Sequence, residues 1–162
     1  MPVDLTEFRR LFGFCPTGVT VVTTLDGDTG PCGFTCSSVV SVSALPPLLL
    51  ICVDKDSRSL PALLKTRRFV VNVLAEGSEQ LARTFAGRSD RKFAGLPWRS
   101  SARLPGVPVL DHAVCAYAEC LVVRTIEAGD HWVLIAQVEG TGAFPRRPLL
   151  YHRGEFSVWS LT

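Results

Sequence analysis

Short apolar runs rich in β-branched residues, each ended by a cluster of turn residues, recur along the chain. Residues 19–25 and 32–42 flank the turn sequence DGDTG, and this pattern predicts a β-hairpin. Residues 48–53 form a continuous apolar run after a pair of prolines, which is typical of a strand buried on both faces. A further strand is predicted at residues 69–74.

The second half of the chain continues this strand pattern with longer runs. Residues 114–126 and 132–144 flank the segment EAGDH, so they predict a long two-stranded ribbon. The last predicted strand covers residues 149–159, and residues 94–108 form a connection spaced by Pro and Gly.

Helical patterns are few and short. Residues 5–12 follow helical spacing behind the capping box DLTE, a second helix is predicted around residues 59–64, and a third over residues 79–85 with Ser78 as its N-cap. Many strands with a few short helices favour a mainly β, antiparallel fold that closes fully or partly into a barrel, because closure removes exposed strand edges. A length of 162 residues predicts a single domain over residues 1–162.

Composition and charge exclude several classes of function. Hydrophobic residues make up 47% of the chain and charged residues 20%, which predicts a packed core rather than disorder. A net charge of +2, with no stripe of Lys and Arg among aromatics, argues against binding of nucleic acid. The N-terminal segment carries charges and no apolar run reaches membrane length, so we expect a soluble, cytoplasmic protein with no membrane partner.

Familiar catalytic and metal-binding motifs are missing. The sequence contains no G-x-G-x-x-G, no phosphate-binding P-loop, no H-E-x-x-H and no G-x-S-x-G. Its six cysteines include no C-x-x-C pair, and its three histidines complete no zinc-type spacing, so we expect no metal site and no disulfide framework. Redox chemistry would therefore need an organic cofactor.

Three polar segments stand out beside the predicted strands and helices. Residues 33–41, GFTCSSVVS, place small hydroxylated residues where a planar ligand can approach, although composition alone favours an exposed strand face. Residues 54–59, DKDSRS, suit a phosphate site and equally a solvated turn. Residues 85–93, FAGRSDRKF, can fold over a ligand, although sequence chemistry alone favours a polar loop that ends a helix.

Taken in order, these segments resemble the flavin reductase-like family. The resemblance runs from Phe8 to Phe156 through CPTGVTVVTT, GFTCSSVVSVSALPPLLLICVDKDSRS, FVVNVL, LARTFAGRSDRKF, GDHWVLIAQV and LLYHRGEF. It implies a flavin-binding split β-barrel of antiparallel, Greek-key-like topology, and a homodimer. It further implies an NAD(P)H:flavin oxidoreductase that reduces free FMN or FAD with NADH or NADPH and supplies reduced flavin, by diffusion, to a separate monooxygenase component.

The resemblance also assigns flavin contacts to particular residues. The flavin contacts fall on Gly33, Phe34, Thr35, Cys36, Ser37, Ser38 and Val39, with residues 35–38 near the ring and ribityl chain. Residues bordering the phosphate are Val53, Asp54, Lys55, Ser57, Ser59 and Leu60, and those closing over the cofactor are Phe85, Ala86, Gly87, Arg88, Ser89 and Asp90. Cys36 stands at a position where many relatives carry Ala or another small residue. We therefore expect this chain to differ from those relatives in how the side chain affects the flavin, or in oxidation of the thiol itself.

The nicotinamide side is assigned to two further segments. The GDH motif places His131 there as the catalytic candidate, which orients the nicotinamide or screens the charge that develops on reduced flavin. The YHRG motif adds Tyr151, His152, Arg153 and Gly154. The alternative is that His131 has no role in the site and is an exposed histidine at the end of a hairpin.

Two other functions fit the same fold class. One is a non-catalytic flavin-binding protein, because a barrel can hold FMN without presenting it to a nicotinamide. The other is an FMN-dependent oxidase or heme-handling relative, whose ligand differs in size or charge. The His131 and YHRG segments favour the reductase over the non-catalytic binder.

Overall fold

The computed structural model describes residues 1–159 and consists mainly of antiparallel strands. The helices are α1 (Leu5–Gly13), α2 (Leu60–Thr66) and α3 (Glu79–Ala86). The strands are β1 (Thr17–Gly18), β2 (Thr20–Asp26), β3 (Gly30–Cys36), β4 (Val39–Ala44), β5 (Pro47–Asp54), β6 (Arg68–Leu74), β7 (Arg99–Ser100), β8 (Pro108–Val109), β9 (Val114–Ala128), β10 (His131–Ala143), β11 (Leu149–His152) and β12 (Glu155–Val158).

One seven-stranded sheet forms the body of the protein. Its strands lie in the order β3-β2-β6-β9-β10-β5-β4, and every neighbouring pair is antiparallel. The connection from β5 to β6, which carries α2, passes over β10 and β9, and this gives the sheet its Greek-key-like topology. Smaller sheets are formed by β1, β11 and β12 and by β7 and β8.

The sheet curls because its two outermost strands are joined by only two residues. Ser37 and Ser38 connect β3 at one edge to β4 at the other. Three Cα–Cα steps span at most about 11 Å, whereas the edges of a flat seven-stranded sheet lie roughly 29 Å apart. The sheet therefore rolls into a barrel, and β3 and β4 border a seam where they do not pair with each other. This is the split barrel implied by the resemblance.

Alternating side chains fill the barrel. On β5, Leu49, Ile51 and Val53 are buried in the core, whereas Leu48 and Cys52 are partly exposed. The prediction of a strand buried on both faces was wrong here, because alternate side chains of β5 point away from the barrel interior and only one face of the strand meets the core.

Helix α1 begins as its capping box predicts, since Asp4 Oδ1 accepts a hydrogen bond of 2.8 Å from the Glu7 backbone N–H. Its apolar face is unpacked: none of its residues is buried, and Phe8 and Leu11 are 51% and 62% exposed. Ser78 does precede α3, but its hydroxyl donates to the Ala113 carbonyl at 3.0 Å instead of capping the helix. None of the helices within residues 1–159 combines the length and hydrophobicity that crossing a membrane requires.

Three strand boundaries differ from the sequence prediction. Residues 32–42 form two strands, because the chain leaves the β3 ladder at the link and enters the β4 ladder beyond it. Residues 149–159 contain the hairpin of β11 and β12, whose turn places Arg153 and Gly154 at φ of 52° and 88°. Strands β7 and β8 pair at the connection of residues 94–108, for which the sequence predicted no secondary structure.

Helix α3 packs closely on β3 at Gly33. A Cβ placed on Gly33 would lie 2.5 Å from the Val22 carbonyl oxygen and 3.2 Å from Cε1 of Phe85. Glycine at this position therefore allows the Phe85 ring to cover β3, and it sets the distance between the helix and the barrel.

Replacing Gly33 with alanine should lower the free energy of unfolding by about 1–3 kcal/mol, because the added methyl group forces the backbone or the Phe85 ring to move. Chemical denaturation measures this loss. The matched control is Gly27→Ala, which meets nothing within 4 Å and should change the stability by less than about 0.5 kcal/mol. Equal stability of the two variants would contradict the close approach described above.

Candidate functional site

A cavity of about 390 Å³ opens at the seam of the barrel, and all three polar segments contribute to its walls. Its predicted lining residues are Phe34, Thr35, Cys36, Ser37, Ser38, Asp54, Ser57, Ser59, Phe85, Ala86, Gly87, Arg88 and His131. Four others complete the wall: Cys52, Asp56, Arg58 and Lys92. A volume of this size falls within the range of small-molecule sites, which is about 300–1,000 Å³.

Strand pairing brings His131 to this cavity. The antiparallel register of β5 and β10 places His131 opposite Asp54, and the Lys55 N–H donates to the Asp130 carbonyl at 3.0 Å. The tip of the β9–β10 ribbon and the turn after β5 are therefore one structural unit, although about 75 residues of sequence separate them.

Helix α3 is fixed to β3 by a hydrogen bond from a predicted ligand residue. Thr35 Oγ1 donates to the Ala82 carbonyl at 2.6 Å. A hydroxyl carries one proton, so Thr35 keeps only its lone pairs for a ligand and can accept, but not donate, a hydrogen bond there.

The link between β3 and β4 offers hydroxyl groups that the protein itself does not use. Ser37 and Ser38 are exposed and stand outside both strand ladders. Within residues 1–159, neither hydroxyl bonds to another group. Both can donate to a ligand oxygen at the cavity wall.

The turn after β5 is held by its own polar groups. The Asp54 carboxylate accepts from the Asp56 N–H at 2.7 Å, and the Asp54 carbonyl accepts from the Ser57 N–H at 3.0 Å. The Ser57 carbonyl in turn accepts from the Leu60 N–H at 3.0 Å. Asp54 therefore shapes the wall of the cavity by holding this turn.

Some predicted contacts do not line the cavity. Val53 and Leu60 are buried in the barrel core, and Lys55 forms an ion pair with Glu127. Gly33 lies behind the wall in contact with Phe85, and Val39 packs against the core.

Ser89 and Asp90, the last residues predicted to close over the cofactor, also lie outside the wall. The Ser89 hydroxyl accepts from the Arg91 N–H at 3.1 Å, and Asp90 forms an ion pair with the wall residue Arg58. This pair joins the turn after β5 to the loop after α3.

The YHRG segment lies in and around the hairpin of the β1-β11-β12 sheet, away from the cavity of its own chain. Tyr151 pairs with Thr17, and the Arg153 N–H donates to the Gly13 carbonyl at 3.2 Å. The Arg153 guanidinium lies 5.0 Å from the centre of the Phe14 ring. Tyr151, His152, Arg153 and Gly154 line no part of the cavity in this chain.

Four wall residues were not predicted from the sequence, although the sequence contains partial evidence for some of them. Cys52 precedes Asp54 by two positions, so strand alternation places both on one face. Asp56 and Arg58 belong to the DKDSRS segment, and Lys92 belongs to FAGRSDRKF, but no residue pattern distinguishes them there from solvated charges.

A carboxylate fixes the orientation of His131. The Nδ1 atom of His131 lies 2.7 Å from Asp130 Oδ1. This hydrogen bond is the largest of the effects that lower the pKa of Asp130. The ionised carboxylate keeps the proton on Nδ1, so Nε2 is the nitrogen that remains for a ligand.

The thiols of the wall are poor nucleophiles. Burial raises the pKa of Cys36 to about 11 and also raises the pKa of Cys52. At neutral pH both therefore stay protonated, and oxidation, which starts from the thiolate, is disfavoured at Cys36.

The fold and the cavity define a small split-barrel protein with one polar, ring-sized site at its seam. Residues 12–160 match the model of the flavin reductase like domain. The chain is 45% identical to a flavin reductase (NADH) of Kitasatospora aureofaciens over 159 residues, which covers 97% of this chain and 83% of the relative. It is 39% identical to HsaB, the reductase subunit of a flavin-dependent monooxygenase of Mycobacterium tuberculosis, covering 96% and 82%.

A solved structure agrees with these sequence matches. The chain resembles an NADH:FAD oxidoreductase of Streptomyces globisporus, determined in complex with NAD and FAD fragments, with a TM-score of 0.89 and 38% identity over 97% of this chain and 93% of that one. The protein belongs to the flavin reductase-like family.

Proposed function

We propose that this protein is a flavin reductase that transfers reducing equivalents from NADH to FMN or FAD and releases the reduced flavin to a separate monooxygenase. The observation that carries the proposal is the seam cavity, in which the three predicted segments and His131 form one wall. The reductase names of its relatives support the same activity. They also favour NADH as the donor over NADPH.

The wall residues fit a flavin. Phe34 and the thiols of Cys36 and Cys52 supply apolar surface for a ring system, while Ser37 and Ser38 supply free hydroxyls. Arg58, Arg88 and Lys92 supply positive charge for a phosphate. When bound, a flavin accepts a hydride from the nicotinamide and a proton from solvent, giving NAD⁺ and reduced flavin.

The protein's part in this reaction is to bind and orient. The serines of the link and the turn after β5 would hold the flavin from two parts of the cavity wall, and His131 lines the cavity opposite Asp54. No protein group has to carry the hydride. The protein therefore accelerates the reaction by holding the flavin and the nicotinamide in the right relative position. The open seam suits a flavin that must leave after reduction.

The two alternatives lack comparable support. A non-catalytic flavin carrier has no need for an oriented histidine at the rim, where Asp130 holds His131. A heme-handling function finds no counterpart in the names of the relatives compared above.

A homodimer is part of the proposal. Helix α1 exposes an apolar face, and β4 exposes Val40 and Val42; exposed apolar patches of this kind are typical of surfaces that bind a partner. The Arg153 N–H bonds to the Gly13 carbonyl at the end of α1, so a second copy on this surface would meet the YHRG segment. That arrangement lets Tyr151, His152, Arg153 and Gly154 serve the partner's nicotinamide side.

The reaction also suggests where the protein works. All six cysteines, which lie within the described residues, are free. Free thiols and a need for NADH favour the cytoplasm as its location.

Mixing the purified protein with NADH and free FMN or FAD should cause loss of NADH absorbance, with electrons reaching an added acceptor such as cytochrome c. Heat-denatured protein serves as the control. Absence of turnover with both NADH and NADPH would overturn the reductase proposal, and a red or brown protein carrying heme would favour the heme-handling alternative.

Replacing His131 with alanine should raise the apparent KM for NADH about fivefold or more, because one hydrogen-bonding group at the rim is lost. Steady-state kinetics with flavin at saturation measure the change. His112→Ala provides the matched control, since His112 is exposed and lies outside the cavity. Unchanged kinetics would remove His131 from the site.

Sedimentation should give twice the mass of one chain, and Phe8→Glu should shift the protein towards a monomer, because a charge on the apolar face of α1 opposes its burial. Arg9→Ala changes the same helix at a charged position and should leave the dimer intact. A native protein that sediments as a monomer and still reduces flavin would contradict the dimer.

A further inference from the structure

A second cavity, of about 330 Å³, lies at the opposite end of the β2–β3 hairpin from the seam cavity. Its walls come from three places: the end of β2 with the turn after it, the end of α2 with the start of β6, and the connection between β7 and β8. The lining residues are Leu25, Gly27, Lys65, Thr66, Arg68, Pro105 and Val107. None of them lines the seam cavity, so the proposed function leaves this second cavity without a role.

Hydrogen bonds and one close contact hold these walls together. The Thr24 hydroxyl donates to the Arg68 carbonyl at 2.6 Å, which joins β2 to the start of β6. The Gly106 N–H donates to the Ser100 hydroxyl at 2.8 Å. Gly106 has a φ of 87°, and a Cβ placed on it would lie 2.7 Å from Cδ2 of Leu25. Glycine therefore allows the connection to lie directly against Leu25, and the fold itself keeps the walls in place.

The lining divides into an apolar part and a cationic part. Leu25, Pro105 and Val107 supply apolar surface. Among residues 1–159, the charged side chains that line the cavity are Lys65 and Arg68, and both are positive. A cavity of this size and composition suits a small anion that also has an apolar body.

The two cations differ in how far the protein already uses them. Arg67 Nε donates to the Val122 carbonyl at 3.2 Å, whereas the guanidinium of the neighbouring Arg68 bonds to no group within residues 1–159. Lys65 Nζ lies 3.3 Å from Asp28 Oδ2, and both side chains are exposed, so this pair is weak. Arg68 is therefore the main group left for a ligand, and a guanidinium matches a carboxylate through two parallel N–H bonds.

We infer that this second cavity binds a small carboxylate with an apolar body. The carboxylate pairs with Arg68, and the apolar body lies against Leu25, Pro105 and Val107. A bare phosphate or sulfate is a poorer match, because it leaves these three side chains in contact with water. The inference concerns a site apart from the flavin site and does not depend on the proposed function.

The test uses benzoate as the probe and follows backbone amide shifts by NMR during a titration. The shifts should concentrate at Leu25, Gly27 and Val107, and they give the dissociation constant. Benzyl alcohol keeps the ring without the charge, and acetate keeps the charge without the ring. Each should bind about fivefold or more weakly than benzoate, because each lacks one of the two matching parts.

Replacing Arg68 with glutamine should raise the dissociation constant for benzoate about fivefold or more, because charge-assisted hydrogen bonds are lost. Binding of benzyl alcohol should change less than twofold, which shows that the cavity itself is intact. The matched control is Arg124→Gln, since Arg124 is exposed and lies outside both cavities. Saturation with FMN should leave benzoate binding unchanged, because the two cavities share no lining residue.

Four results would overturn the inference. Absence of shifts at the named amides would show that the cavity stays empty, and displacement of benzoate by FMN would place the probe at the seam instead. Equal affinity for benzoate and acetate would reduce the site to a surface ion pair. Equal affinity of Arg68→Gln and the native protein for benzoate would remove Arg68 from the site.

Discussion

The two-residue link between β3 and β4 is the constraint on which the rest of the structure depends. Because Ser37 and Ser38 must join opposite edges of a seven-stranded sheet, the sheet has to roll up, and the place where it closes is also where its hydrogen bonding stops. The cavity lies at that place. Closure of the barrel therefore sets where the site forms, and the turn after β5, the end of α3 and His131 supply the rest of its wall.

Much of the wall is bonded within the protein before any ligand arrives. Thr35 holds α3, Asp54 holds the turn after β5, and Asp130 holds His131. Such bonds reduce the conformational freedom that a ligand would otherwise have to remove, so the wall is preorganised. Groups left free, such as the hydroxyls of the link, are then the ones that can distinguish one ligand from another.

The sequence predicted the fold class, the three helices and most strands, because local periodicity and turn residues decide those features. It missed the break at Ser37, since a strand can leave one ladder and join another without any change in composition. The three polar segments did meet at one cavity, as the family resemblance implied. Lys92 lines the cavity, whereas Lys55 pairs with Glu127 of the β9–β10 ribbon, and such contacts between distant segments have no local signature in the sequence.

The open seam has a consequence for the behaviour of the protein in solution. A fully closed barrel hides every strand edge, whereas here β3 and β4 each end the sheet with one unpaired side. Unpaired edges are where β proteins associate wrongly, and the exposed Val40 and Val42 add apolar surface to one of them. Helix α3 packs against β3, so β4 is the edge that stays open to pairing with another chain.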